Sequence, residues 1–184
     1  MDLLTRFETG IAQARPVIAG ADVRSGANPT PCPDWDVRTL INHMLGALTM
    51  FRDVATDGSA DPALFTRDLV GDDALVSFDK VAGEVVAAWR ARGLEGTATL
   101  PFGELPASVA LELATMEMVV HAWDLAAATT QSVDWDQELL TENLSFVRAT
   151  FASSEARGAN FGPPVPVADD APTIDRLVGF LGRK

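Results

Sequence analysis

The sequence predicts an all-α fold, a bundle of amphipathic helices, on three observations. Apolar residues recur at spacings of three and four along nearly every stretch free of breakers, which is the period of a helix with one buried face. Glycines and prolines gather where those stripes stop, as helix ends and turns require. Apolar residues make up 47% of the 184-residue chain and charged ones 22%, a globular balance in a chain long enough to need no staple, since a domain near 150 residues buries roughly 70% of its unfolded surface.

Each element follows from local chemistry. Leu3, Leu4, Phe7, Ile11, Val17 and Ile18 fall on one stripe of a first helix, closed by Gly20. Residues 20 to 33 are rich in Gly, Asn and Pro, and each residue before a proline is steered away from helix, so a loop is expected. Asp34 is expected to cap a second helix through Val37, Leu40, Ile41, Met44, Leu45, Leu48 and Phe51, ending near Asp57-Gly58. A polar connector over Ser59 to Asp73 leads to a third helix with Leu75, Phe78, Val81, Ala82, Val85 and Trp89, stopping at Gly93.

Thr97 to Gly103 is short, partly β-branched and broken by Pro101, which predicts an extended crossover with a turn at Gly103 rather than a sheet domain. Pro106 suits the first turn of a fourth helix running through Leu113, Met116, Val120 and Leu125 to about Thr130. Asp134 is expected to cap a fifth, with Gln137 three residues on as in a capping box, and with Leu140, Leu144, Val147 and Phe151 as its stripe. After Gly158 come Gly162, Pro163, Pro164 and Pro166, then a short amphipathic piece with Ile174, Leu177, Val178 and Phe180. The expectation is a single domain over residues 1–184, with the bundle over about 1–158 and a tail over 159–184.

Charge and composition narrow the partners. A formal net charge of −12, with basic residues scattered singly apart from Arg183 and Lys184, argues against nucleic acid and anionic membrane surfaces. No stretch approaches the roughly 18 apolar residues of a membrane span. Met1 to Gly10 alternates charged with apolar residues, unlike a signal peptide, so the expected location is cytoplasmic. The single cysteine, Cys32, lies between two prolines in a connector and is read as inert. Asn143-Leu144-Ser145 matches a glycosylation sequon, read as a chance match on a helix.

There is no Gly-rich dinucleotide fingerprint, no phosphate-binding loop and no Gly-x-Ser-x-Gly elbow. The informative feature is the pair of histidines, the only two in the chain, both on predicted helices. His121 follows Glu117 by four residues, so the two share a face with Cβ atoms about 5–6 Å apart. His43 lies beside the second helix's apolar stripe, in line with Leu40 and Ala47. Two histidines and one carboxylate are the ligand set of an open catalytic-type metal site between facing helices; packed core histidines are the bland alternative.

The segment Thr30-Pro31-Cys32-Pro33-Asp34-Trp35-Asp36-Val37-Arg38-Thr39-Leu40-Ile41-Asn42-His43 resembles the opening of the second helix in the mycothiol-dependent maleylpyruvate isomerase-like family. Glu117 to His121, continuing as Ala122-Trp123-Asp124-Leu125-Ala126, resembles that family's Glu-x-x-x-His-Ala-Trp-Asp-Leu-Ala segment. The close, Phe161-Gly162-Pro163-Pro164-Val165-Pro166-Val167 with Asp175-Arg176-Leu177 and Phe180-Leu181-Gly182-Arg183, is similar to the end of a short branch of it.

The resemblance implies a DinB-like four-helix bundle with an additional C-terminal helix and an extended tail. It implies His43, Glu117 and His121 as ligands of a divalent metal, zinc or in some relatives nickel, with the first-row affinity order leaving the ion open. Trp35 and Trp123 are read as bundle packing near the helix ends in preference to substrate contact. For Asp124 the roles stand side by side of orienting a ligand from behind, joining a surface ion pair or serving the helix end.

The family's isomerase carries a further C-terminal domain that contributes to its active site, so isomerisation of maleylpyruvate is not carried over to a chain expected to end after its bundle and tail. The leading expectation is a metal-dependent thiol transferase or isomerase using mycothiol as cosubstrate with a small electrophile. A non-catalytic metal- or ligand-binding or stress-related bundle and a structural bundle that forms a homodimer are the alternatives.

Overall fold

Asp2 opens the first helix: its carboxylate accepts the backbone N–H of Thr5 at 2.9 Å, satisfying one of the donors a helix start leaves without partners. Helix α1 (Leu3–Gly20) then buries Phe7, Ile11, Ala14, Val17 and Ile18, the stripe its sequence predicts. The computed structural model describes residues 1–21, 26–158 and 160–184; positions 22–25 of the expected loop, and position 159 where the tail is expected to start, lie outside them.

Helix α2 (Val37–Asp57) is capped by Asp36, whose Oδ1 accepts from the Thr39 N–H at 2.8 Å. The cap expected at Asp34 is therefore displaced by two residues. Asp34 instead takes φ 67° in a turn closed by the Trp35 N–H on the Cys32 carbonyl at 3.2 Å. At the far end Gly58 adopts φ 80°, the left-handed stop that glycine provides.

The polar connector holds a short 3-10 turn, Pro62–Thr66, that the composition alone conceals. Asp73 caps α3 (Ala74–Arg92) by accepting from Leu75 and Val76 at 2.9 and 3.0 Å, and Gly93 ends it. The expected crossover is a small antiparallel hairpin, β1 (Thr97–Leu100) and β2 (Gly103–Pro106), with Leu100 opposite Gly103. Pro106 immediately precedes α4 (Ala107–Ala128) rather than lying in its first turn.

Helix α4 packs along α1 and α2, and α3 packs along α1 and α2. This four-helix arrangement is the all-α bundle expected. Its interior is built from Phe7, Leu40, Leu48, Phe78, Leu111 and Met118, each worth roughly 1.5–3 kcal/mol on burial. Trp89 is enclosed as well, and its indole N–H donates to the Phe51 carbonyl at 3.1 Å.

The chain divides into two compact units, Asp2–Val133, and Met1 with Asp134–Lys184. The second contains α5 (Gln137–Thr150), the single-turn α6 (Ser154–Arg157) and α7 (Thr173–Phe180). Asp136 caps α5 through the Leu139 N–H at 2.8 Å; Asp134 does not, because the helix begins at Gln137 itself. Helix α5 packs on α7. Between them in sequence, the buried Arg157 guanidinium donates to the carbonyls of Gly162 and Phe180 at 3.1 and 2.8 Å. Asn143 is 0% exposed and donates to the Leu139 carbonyl, so the sequon match is sealed inside a helix face. Among the described residues no helix is long and apolar enough to cross a membrane.

Candidate metal centre

The chemistry-bearing side chains come from α2 and α4. On α2 His43 sits one turn after Leu40 and one turn before Ala47, both buried, and on α4 Glu117 and His121 are four residues apart on one face. Glu117 Oε2 lies 3.1 Å from His43 Nε2 and 3.2 Å from His121 Nε2. The two imidazoles meet edge to face, centroids 4.8 Å apart. The sequence thus brings its three predicted ligands to one point.

Behind His121 stands Asp124, 0% exposed, with Oδ2 accepting from His121 Nδ1 at 3.0 Å. Its burial is at odds with the surface ion pair among its expected roles. The Cys32 thiol donates to the same Asp124 oxygen at 3.2 Å, with its sulfur 3.9 Å from His121 Nδ1. The sequence reading placed Cys32 in a connector, away from the chemistry. What seats it here is a fold-back of the loop: Pro29 bridges Asp36, and the Thr30 N–H reaches the Trp35 carbonyl at 3.1 Å. Such pairing leaves no periodic mark in the sequence.

That fold-back also lays Trp35 against the site, its ring 4.5 Å from His43 and 5.9 Å from His121. Trp35 therefore packs on the imidazoles themselves, beyond the helix-end packing expected. The Phe65 ring also stacks on His43, at 5.4 Å and 27°.

Phe65 comes from the 3-10 turn, and Asn42 holds the following residues to α2. Asn42 Nδ2 donates to the Arg67 carbonyl at 2.9 Å, and Oδ1 accepts from the Leu69 N–H at 2.7 Å. Gly46 makes room, since a β-carbon there would fall 2.9 Å from the Phe65 ring. Trp35, Thr39, Asn42, His43 and Phe65 line a cavity of about 240 Å³.

Burial pushes the Glu117 carboxyl up, but the charge of His121 beside it and hydrogen bonds from His121 and His43 prevail and hold it well below the usual carboxylate range. Burial likewise opposes the charged form of His121. There the Glu117 charge and hydrogen bonds to Asp124, Cys32 and Glu117 prevail, and its pKa stands well above that of an ordinary histidine.

The donor set fits a divalent ion. Ligand atoms around a tetrahedral ion with bonds near 2.1 Å stand about 3.4 Å apart, and the three donors here lie within 4.8 Å of one another, with both histidine-to-glutamate spacings close to that value. His121, Asp124 and Cys32 form a second grouping of donor atoms through the other ring nitrogen. The bond between His121 Nδ1 and the Asp124 carboxylate is of the kind found behind histidines that hold a metal.

The family described as "Mycothiol maleylpyruvate isomerase N-terminal domain" matches residues 7–126, the span that contains all three converging side chains. Two uncharacterised proteins of Mycobacterium tuberculosis, from two strains, are each 36% identical over 166 residues, covering 89% of this chain and 88% of theirs. The crystal structure of the mycothiol-dependent maleylpyruvate isomerase superposes with a TM-score of 0.59 at 20% identity, over 79% of this chain and 68% of that one. A histidine-to-alanine mutant of that enzyme gives 0.60 at 16% identity over the same shares. At such identities the superpositions speak for the fold.

Proposed function

The chain belongs to the mycothiol maleylpyruvate isomerase N-terminal domain family, and from that premise we propose that it is a divalent-metal enzyme using mycothiol as cosubstrate for S-transfer or isomerisation. The observation that carries the reading is the convergence of His43 Nε2 and His121 Nε2 on Glu117 Oε2. These three side chains would hold the ion, zinc by donor type with nickel the alternative. When bound, such an ion stabilises a thiolate, whose parent thiol otherwise has a pKa of about 8.5.

The remaining work falls to the protein. Asp124 keeps the proton on Nδ1 of His121 and so aims Nε2 at the convergence. Trp35, over both imidazoles, excludes water from that side. No side chain is needed as nucleophile, because the sulfur arrives with the cosubstrate. The Cys32 thiol is engaged with Asp124 and acts in support. In this reading the chain works as one domain in the cytoplasm, where thiols are kept reduced.

Elemental analysis of protein purified without a histidine tag tests the site, followed by incubation with mycothiol and a panel of bimanes and epoxides. A stoichiometric divalent metal, lost on His121→Ala, together with metal-dependent conjugates, is the expected result. Metal with saturable thiol binding and no product would make the bundle a binding module. Wild-type protein without metal, and no effect of His121→Ala, would leave only packed histidines.

A further inference from the structure

The grouping of Cys32, His121 and Asp124 is buried and held from both sides. Asp124 follows His121 by one turn of α4 and is fully enclosed. Cys32 reaches it from the loop, where Pro31 and Pro33 restrict the backbone on either side and the Thr30 hydroxyl accepts the Cys32 N–H at 3.1 Å. Cys32 also lines an open hollow of about 320 Å³ with Thr30, Pro33 and Asp36, which gives an ion an approach to this residue.

Distance and charge both favour a metal there. Asp124 Oδ2 stands 3.0 Å from His121 Nδ1 and 3.2 Å from Cys32 Sγ, and the last two are 3.9 Å apart. Donors around a tetrahedral ion with bonds of about 2.0–2.3 Å stand about 3.4–3.6 Å from one another, so small shifts open the place that two hydrogen-bonding protons hold. Coordination strips the proton from a thiol. A Cys32 thiolate and the Asp124 carboxylate then bring two negative charges to one imidazole nitrogen, the match for a buried divalent ion. Cysteine, histidine and aspartate are all ligands of zinc, and the sulfur disfavours magnesium and calcium. The trio of His43, Glu117 and His121 contains no sulfur and a single carboxylate, so the two groupings differ in chemistry as well as in place.

We propose that Cys32 Sγ, Asp124 Oδ2 and His121 Nδ1 form a second metal site, for a thiophilic divalent cation such as zinc or cadmium, back to back with the one that His121 Nε2 faces. The thiol proton and the Nδ1 proton pass to solvent as the ion enters. Because His121 belongs to both trios, an ion here takes the place of the proton that ties Nδ1 to Asp124. The site uses neither His43 nor Glu117, and it does not rest on the thiol reading of the other centre.

Cadmium chloride titrated into the full chain, freed of metal by a chelator, tests the site through the thiolate-to-cadmium charge-transfer absorption in the ultraviolet. Cys32 is the chain's one cysteine, so such a band reports on this residue alone. A saturable band is expected, abolished by Cys32→Ser. Asp124→Ala should weaken cadmium binding by at least about ten-fold, the least that losing even a group behind a ligand costs. Glu117→Ala, which removes a member of the other trio only, should keep the band. Absence of a band in the wild type, its loss in Glu117→Ala, or unchanged cadmium affinity in Asp124→Ala would overturn the proposal, the last by marking a lone cysteine that meets the ion by chance. Should Asp124→Ala fail to fold, X-ray absorption at the cadmium edge of the wild-type chain decides. One sulfur beside nitrogen and oxygen neighbours is expected, and a shell without sulfur would refute the site.

Discussion

The buried carboxylate of Asp124 holds Nδ1 of His121 at 3.0 Å from three residues along the same helix. With one ring nitrogen so occupied, the other faces Glu117 at 3.2 Å. Replacing Asp124 by Asn should therefore loosen metal binding by about 10- to 100-fold, the usual cost of losing the partner behind a histidine ligand. Competition with a chromogenic chelator measures it, and unchanged affinity would mean that helix packing alone orients the ring.

Glu117→Ala removes a proposed ligand from a half-buried position and not a piece of the core. Metal affinity should fall by more than in Asp124→Asn, while the far-ultraviolet circular dichroism stays helical. Global unfolding of Glu117→Ala would show that this carboxylate is needed for folding as well.

Leu40→Ala makes the opposite separation. Leu40 is fully enclosed one turn before His43, and its truncation leaves a cavity expected to cost about 2–5 kcal/mol in urea denaturation. The folded fraction should still bind metal.

Asp36→Ala removes the cap of α2, at about 1 kcal/mol. Hydrogen bonds from the Thr39 side chain and backbone hold the Asp36 carboxyl below its ordinary value. A carboxyl depressed in the folded state contributes stability above its unfolded pKa, about 3.9, and loses it as pH falls through the lower folded value. The stability gap between wild type and Asp36→Ala should thus be full near neutrality and close in strong acid. Urea melts over that range check it, and a gap that widens on acidification would contradict the assignment.

The four bundle helices were legible because each buries one face, and burial imposes the three-and-four spacing seen from Leu40 to Phe51 and from Phe78 to Trp89. The meeting of His43 with Glu117 and His121 was legible for the same reason, since side chains on helices inherit the helix period. Caps were less so. Asp34 and Asp36, or Asp134 and Asp136, are chemically equivalent candidates, and only the turn geometry before each helix decides between them. The hairpin hides because two four-residue strands around a proline carry too little alternation. Cys32 and Trp35 reach the centre through backbone pairing between Pro29 and Asp36, which no side-chain pattern announces.

The contact between Gly46 and Phe65 also sets terms for how related chains diverge. A methyl group at position 46 and a full phenyl ring at position 65 claim the same volume, so the two sites are coupled through steric exclusion although 19 positions separate them in sequence. A lineage that acquires alanine at 46 would be under pressure to shrink residue 65 or turn its ring outward.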